Sequence, residues 1–238
     1  MKDKTLVILQ PQFCPWIGVF EQIACADIYV HYDDVQLPQG RSFTSRVQIK
    51  TPNGVQWLTV PIVKRKSNTI QMTALSPDNK WKEKHLRTLE HAYSKAPFKY
   101  EMLSLLTEIY QSNHETISAL NIDALEKISD YYNLGTTFYK SSDVNIGGKS
   151  THRLIDICKH YSASRYITGW GAKNYIEHEK FDDEGIKLCY MDYQKKPYLQ
   201  QHDGFTPYVS ILDLIANCGK EGKKMIMSEP VYWRDFKW

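Results

Sequence analysis

The sequence predicts an α/β protein with a mostly parallel, Rossmann-like sheet, a β-hairpin excursion and an inserted helical layer. Short apolar runs rich in β-branched residues recur along the chain, and amphipathic helical patterns separate them. Polar residues follow several of these runs directly, as expected where strands of a parallel sheet end. The runs that we interpret as strands of the main sheet are Thr5–Leu9, Ile28–Tyr32, Thr136–Lys140, Arg165–Thr168 and Ile186–Met191.

The stretch 5–36 reads as one strand–helix–strand unit. Its first strand runs into Gln10 and Gln12, and its second strand ends in Asp33, Asp34 and Gln36. A crossover between parallel strands is right-handed, so both strands end at the same edge of the sheet. We therefore expect these five polar side chains to lie together at the edge where open α/β sheets bind ligands. The predicted helix has Pro15 at its first position and an apolar stripe of Trp16, Phe20 and Ile23.

Residues 37–66 read as a hairpin excursion from the sheet. Two alternating runs, 47–50 and 55–62, flank a turn at Asn53-Gly54. The excursion carries several groups that suit an anionic or aromatic ligand, namely Arg46, Lys50 and Trp57.

Residues 78–134 read as a helical insertion, after a short strand predicted at 69–73. Three amphipathic patterns predict helices at 81–93, 98–110 and 115–132. Farther on, Ser150 is predicted to cap a helix, and Pro207 to begin one that covers 208–217. The excursion and the insertion are expected to belong to one α/β domain over residues 1–238.

Composition excludes several classes of protein. The net charge of +3 is too small to indicate a nucleic-acid partner. The five scattered cysteines have no paired spacing, so neither a disulfide framework nor a metal site is expected. No run of eighteen apolar residues and no signal-peptide pattern is present, so we expect a cytoplasmic protein without membrane insertion.

A glycine-containing turn after the strand 165–168 is the second place where chemistry is expected. In Gly169-Trp-Gly-Ala-Lys173 the glycines allow the backbone to approach a ligand closely, and Lys173 could reach a phosphate or carboxylate. Tyr175 follows and could stack on a base or sugar. The spacing is not that of a Walker A loop.

Several separated blocks resemble the WbqC-like family in the right order. They are LQPQFCPWIGVFEQIACADIYVHYDDVQ, RVQIKTPNGVQWLTVPI, KSTHRLIDICKHYSASRYITG, GIKLCYMDY and VSILDLI. The resemblance implies association with bacterial surface-polysaccharide (O-antigen) gene clusters and a role as a glycine or aminoacyl transferase to an amino sugar. It carries over no catalytic residues.

The opening unit is also similar in layout to the nucleotidylyltransferase superfamily, which includes pantothenate synthetase. In that likeness Gly18 begins the helix beside the nucleotide. The superfamily's HIGH-type motif places a histidine after the glycine, whereas this chain has Val19. The use of ATP with Mg²⁺ therefore stays open.

These observations lead to one functional hypothesis and two alternatives. The hypothesis is a transferase that joins a small acyl group to the amine of a nucleotide-linked amino sugar. Asp33 or Asp34 would position the amine. Phosphate or carboxylate would be bound by Arg46, Lys50 and Lys173. The sugar hydroxyls would be bound by Gln10, Gln12 and Gln36. The base or sugar ring would stack on Trp57 and Tyr175. The alternatives are an ATP-dependent carboxylate–amine ligase and a non-catalytic nucleotide-sugar-binding scaffold. The sequence leaves homo-oligomer formation open.

Overall fold

A six-stranded, mostly parallel sheet forms the centre of the protein, as the sequence predicts. The computed structural model describes residues 3–40, 42–63, 65 and 68–238. The strands of this sheet, in chain order, are β1 (Lys4–Leu9), β2 (Ile28–His31), β5 (Thr137–Lys140), β6 (Ala163–Thr168), β7 (Lys187–Asp192) and β8 (Glu229–Tyr232). Their spatial order is β5-β2-β1-β6-β7-β8, with only β8 antiparallel to its neighbour within the described residues. Numbered along the chain within this sheet, the order is 3-2-1-4-5-6, that of a Rossmann sheet.

Helices cover both faces of the sheet. They are α1 (Ile17–Ala24), α2 (Lys80–Ala92), α3 (Lys99–Gln111), α4 (Ile117–Tyr131), α5 (Ser150–His160), α6 (His178–Asp183) and α7 (Ile211–Cys218). Alternation along β1 sends Leu6 and Ile8 into a core with α5 and α6, and Val7 into a core with the other helices. The predicted helices α2, α3 and α4 are confirmed within a few residues. No helix in the described ranges has the length and apolar character needed to span a bilayer.

The predicted hairpin is confirmed as a separate two-stranded sheet of β3 (Arg46–Thr51) and β4 (Gly54–Thr59). Pairing of Thr51 with Gly54 makes Pro52 and Asn53 the turn residues. Gly54 follows at a φ of 87°, a left-handed conformation that favours glycine. Three further basic residues of the excursion, Arg41, Lys64 and Lys66, lie outside the described residues.

Four local predictions differ from the structure. Residues 69–73 form turns, and Thr69 makes only an isolated bridge with Gln36. α1 begins at Ile17, after Trp16, so Pro15 lies outside it. Ser150 is the first residue of α5 and does not cap it. α7 begins after Ser210, whose Oγ accepts a hydrogen bond from the Leu212 amide at 3.2 Å, so Pro207 lies before the helix. The sequence did not predict α6 or β8.

Gly18 lies against the indole of Trp16. A Cβ at position 18 would lie 2.3 to 2.7 Å from three carbons of that ring. Real Cβ atoms do not approach other atoms so closely, so the indole can occupy this place only because residue 18 is glycine.

We expect Gly18→Ala to lower the free energy of unfolding by about 1–3 kcal/mol, because the indole must move to admit the methyl group. Gly147→Ala is the matched control, since a Cβ there meets no heavy atom within 4 Å. Urea unfolding of both variants measures the difference. Equal stability of the two variants would contradict this packing role.

Candidate functional site

A crevice of about 550 Å³ opens at the carboxyl edge of the sheet, between the ends of β1 and β6. The chain leaves β1 toward α1 on one face, whereas α5, which precedes β6, lies on the other face. The connections therefore diverge at this point, which is the topological switch point where α/β sheets bind ligands. Six of the residues that line the crevice are aromatic: Trp16, Phe43, Trp170, Tyr175, Tyr193 and Tyr208. Its polar side chains are Gln12, Gln22, Thr168 and Lys195.

The aromatic rings form a connected wall. The ring of Trp16 lies 4.8 Å from that of Tyr193 and 5.4 Å from that of Tyr208, measured between centroids. Trp170 continues the wall at 5.7 Å from Tyr193, and its Nε1 donates a hydrogen bond to the Met191 carbonyl at 2.6 Å. Such a wall offers flat apolar surface on which a base or a sugar ring can stack.

Lys195 lies beside the outer part of this wall. Its Nζ is 5.0 Å from the centroid of Trp170 and 5.3 Å from that of Tyr208, so cation–π attraction holds the ammonium between the two rings. Among the described residues that line the crevice, Lys195 is the only charged one. The crevice therefore attracts anions.

The inner part of the crevice contains a hydrogen-bonded pair. Nε2 of Gln22 donates to the Tyr193 hydroxyl at 2.9 Å, whereas Oε1 of Gln22 is buried and has no partner among the described residues. Burial raises the pKa of Tyr193, so this side chain is a neutral phenol. A Cβ at position 169 would lie 3.1 Å from the Tyr193 oxygen, so glycine allows the phenol its close approach there.

Comparison with known proteins agrees with the sequence resemblance. The model of the WbqC-like protein family matches residues 10–225. The chain belongs to the WbqC-like protein family. A similar protein of Mycobacterium tuberculosis (strain ATCC 25618 / H37Rv), "Uncharacterized protein Rv1507c", is 35% identical over 221 residues, which cover 92% of this chain and 95% of that protein. No solved structure matches the chain significantly.

Three of the residues proposed from the sequence line the crevice of this WbqC-like protein: Gln12, Gly169 and Tyr175. The glycine turn and the end of β1 thus meet, as the parallel sheet requires. Gln10, directly after β1, is half-buried but does not line the crevice. Gln36 is exposed near Thr69, and Gly18 lies under the indole of Trp16.

Asp33 and Asp34 bind protein groups away from the crevice. Buried Asp33 accepts hydrogen bonds from the hydroxyl of Ser142 at 2.9 Å, its amide at 3.1 Å and the hydroxyl of Ser141 at 3.2 Å. Asp34 forms an ion pair with Arg153 and accepts a hydrogen bond from Ser141 at 2.6 Å. Both carboxylates bind the turn after β5. They follow β2, and in the sheet β2 lies next to β5, whereas β1 separates it from β6.

The expected cations also have partners outside the crevice. Nζ of Lys173 lies 4.0 Å from the ring centroid of Trp238, and the guanidinium of Arg46 lies 4.0 Å from that of Trp57. Trp57 in turn lies 5.8 Å from Phe43, which places it behind one wall of the crevice.

Lys50 is buried and joins the hairpin to the segment after β7. Its Nζ donates to the His202 carbonyl at 3.1 Å, to Gln200 Oε1 at 3.4 Å and to the Gly204 carbonyl. This segment lies between Lys195 and Tyr208 in the chain. Lys50 thus contributes to the shape of the crevice without lining it.

The sequence did not point to Gln22, Tyr193, Lys195 or Tyr208 as site residues. Gln22 carries a usable signal, since it and Glu21 are the two polar residues of a short helix whose other residues are apolar or glycine. The remaining three lie in or near an irregular segment, where periodicity gives no information on side-chain direction. The apolar spacing predicts Trp16 on a helix face, but Trp16 precedes α1 and forms part of the wall.

Cysteine nucleophilic chemistry and a metal cluster find no support in the described residues. Cys14, in the turn after β1, is fully buried, and desolvation raises its pKa to about 12, so its reactive thiolate is disfavoured. No group of three or more potential metal ligands occurs within the described ranges.

We expect Asp34→Asn to lower the free energy of unfolding by about 2–3 kcal/mol, because it leaves the mostly buried Arg153 without its counter-charge. Asp143→Asn is the control: its ion pair with Lys140 is exposed, so the loss should stay below about 1 kcal/mol. Chemical denaturation measures both. A stable Asp34→Asn protein that loses ligand binding would instead support a direct role in the site.

Proposed function

We propose that this protein binds a nucleotide-linked amino sugar in the crevice and transfers a small, glycine-like acyl group to its amine during bacterial surface-polysaccharide (O-antigen) synthesis. The proposal that the protein binds such a ligand depends on one observation. The crevice at the topological switch point combines an aromatic wall, the cation Lys195 and an uncharged inner end. Membership of the WbqC-like family supports the proposed process.

Each part of such a ligand has a complementary group. The rings of Trp16, Trp170 and Tyr208 can stack on a planar base or on the apolar face of a sugar. Lys195 can neutralise part of a diphosphate. Amide and hydroxyl groups at Gln12 and Thr168 can bind sugar hydroxyls.

The proposed reaction is attack by the neutral amine on the carbonyl carbon of an activated acyl donor, such as a thioester. A carbon–nitrogen bond forms, the bond to the leaving group breaks, and the nitrogen gives its proton to the leaving group or to water. The described lining residues include no carboxylate and no imidazole, so the main contribution would be positioning of the two reactants. The proposal gives Asp33, Asp34 and Lys173 no direct contact with substrate, because other partners hold them.

A nucleotide-sugar-binding scaffold is the second candidate function. The same lack of acid–base side chains among the described lining residues favours it. The ATP-dependent ligase receives less support, because the indole of Trp16 occupies the space beside Gly18 that a bound nucleotide would need.

The first experiment is a thermal-shift panel of UDP, dTDP, UDP- and dTDP-linked amino sugars, coenzyme A and ATP with Mg²⁺. A ligand at one hundred times its Kd stabilises the folded state by about 2.7 kcal/mol, which raises the melting temperature measurably. Incubation of a binding amino-sugar nucleotide with acyl-coenzyme A thioesters, analysed by mass spectrometry, then tests transfer. Binding without product supports the scaffold, and a shift with ATP supports the ligase.

We expect Lys195→Met to weaken UDP binding about tenfold or more, because a charge-assisted contact with the diphosphate is lost. Lys196→Met is the matched control, since Lys196 is the exposed neighbouring residue and does not line the crevice. Titration calorimetry with UDP compares the two. Equal loss in both variants would mean that general surface charge, and not the crevice, attracts the nucleotide.

A further inference from the structure

The crevice has an uncharged inner end and a charged outer end. Gln22, at the inner end, is 4% exposed. The rings that flank Lys195 are much more open, with Trp170 44% and Tyr208 49% exposed. A nucleotide that uses Lys195 for its phosphates must therefore place another part of the molecule at Gln22 and Tyr193.

The hydrogen bond between Gln22 and Tyr193 determines what this inner end offers. The amide nitrogen of Gln22 donates its hydrogen bond to the Tyr193 oxygen. The amide oxygen of Gln22 accepts none from the described residues. Because the phenol oxygen is the acceptor in this bond, its own hydrogen is available to a ligand. Oε1 has almost no exposed surface, so a small rotation of the Gln22 side chain has to bring it to the ligand. The pair then presents one acceptor beside one donor.

A buried acceptor without a donor is uncommon in folded proteins, and a ligand that supplies the donor relieves its cost. The group that fits is neutral, since an ammonium would find no counter-charge among the described lining residues and a carboxylate would face the amide oxygen. It is also planar, because aromatic rings form the adjacent wall. A nucleobase edge with an N–H next to a carbonyl has all three properties.

We propose that the crevice binds a uracil or thymine nucleotide with the base inward and the phosphates outward at Lys195. The base N3–H donates to Oε1 of Gln22, and an adjacent carbonyl accepts from the Tyr193 hydroxyl. In uracil and thymine the N3–H lies between two carbonyls, so both ring orientations present this complement. Guanine presents it in one orientation, and cytosine and adenine have no ring N–H beside a carbonyl. The inference rests on the proposed function only for the presence of a nucleotide.

Titration calorimetry with UDP, uridine, 3-methyluridine and cytidine tests the base orientation. Gln22→Met and Tyr193→Phe are each expected to weaken uridine and UDP binding about 10- to 100-fold, through loss of a buried hydrogen bond. Gln56→Met is the matched control, because Gln56 is an exposed glutamine on β4. Lys195→Met should weaken UDP but not uridine. Circular dichroism and melting curves establish that each variant is folded.

The methylated nucleoside gives the sharpest comparison, because it differs from uridine only in the methyl group that replaces the N3–H hydrogen. The native protein should bind 3-methyluridine at least as weakly as Gln22→Met binds uridine, and Gln22→Met should discriminate much less between the two nucleosides than the native protein does. Tight binding of 3-methyluridine, equal affinity for cytidine, or native-like uridine affinity in both Gln22→Met and Tyr193→Phe would overturn the inference. Base-dependent binding without acyl transfer would leave it intact while refuting the transferase, and no binding of any nucleotide would refute both.

Discussion

The rule that crossovers between parallel strands are right-handed determines where this protein can bind a ligand. The crossover that leaves β1 covers one face of the sheet, and the one that enters β6 covers the opposite face. The two connections therefore separate at the carboxyl edge, and the gap between them is the crevice. The aromatic wall, Lys195 and the Gln22–Tyr193 pair all depend on this divergence, because each borders the gap.

Most of the helices outside the α1 and α5 crossovers, together with the hairpin, lie on one side of that gap. The helices α2, α3, α4 and α7 and the hairpin pack on the same face of the sheet as α1. Buried polar contacts then hold the segment between β7 and α7 in place. Lys50 donates to three acceptors within that segment, and Tyr198 donates to Asp213 of α7 at 2.8 Å. Asp213 is fully buried, and this desolvation raises its pKa.

The chemistry of the crevice follows from what its walls contain. Aromatic rings, amides and hydroxyls bind and orient, whereas the described lining residues supply no group suited to proton transfer near neutral pH. A transferase of this kind must therefore rely on an activated donor and on the placement of the amine. The same set of lining residues suits a binding protein equally well. An assay for the acylated product therefore distinguishes catalysis from binding.

Local patterns in the sequence were sufficient to predict most of the strands and helices and the edge of the sheet at which the crevice opens. Short apolar runs predicted the five parallel strands, and the central ones are buried on both faces. Alternating and helical periodicity predicted the hairpin and the long helices. Polar residues after β1 and the glycine turn after β6 lie at the edge where the crevice opens, and Gln12, Gly169 and Tyr175 line it. The starts of α5 and α7 were misplaced by a few residues, since a residue suited to capping or beginning a helix need not be used there.

The tertiary structure alone decided which polar groups face the crevice. Asp33 and Asp34 follow a strand of the correct edge, but β5 and Arg153 lie close enough to bind them first. The apolar spacing predicts Trp16 on a helix face, but Trp16 precedes α1, and its ring forms part of the aromatic wall. Lys195 and Tyr193 come from an irregular segment far along the chain. The local sequence determines which residues end a strand. Only the folded chain brings distant segments together, and that packing decides which hydrogen-bond partners a side chain finds and where a crevice is left open.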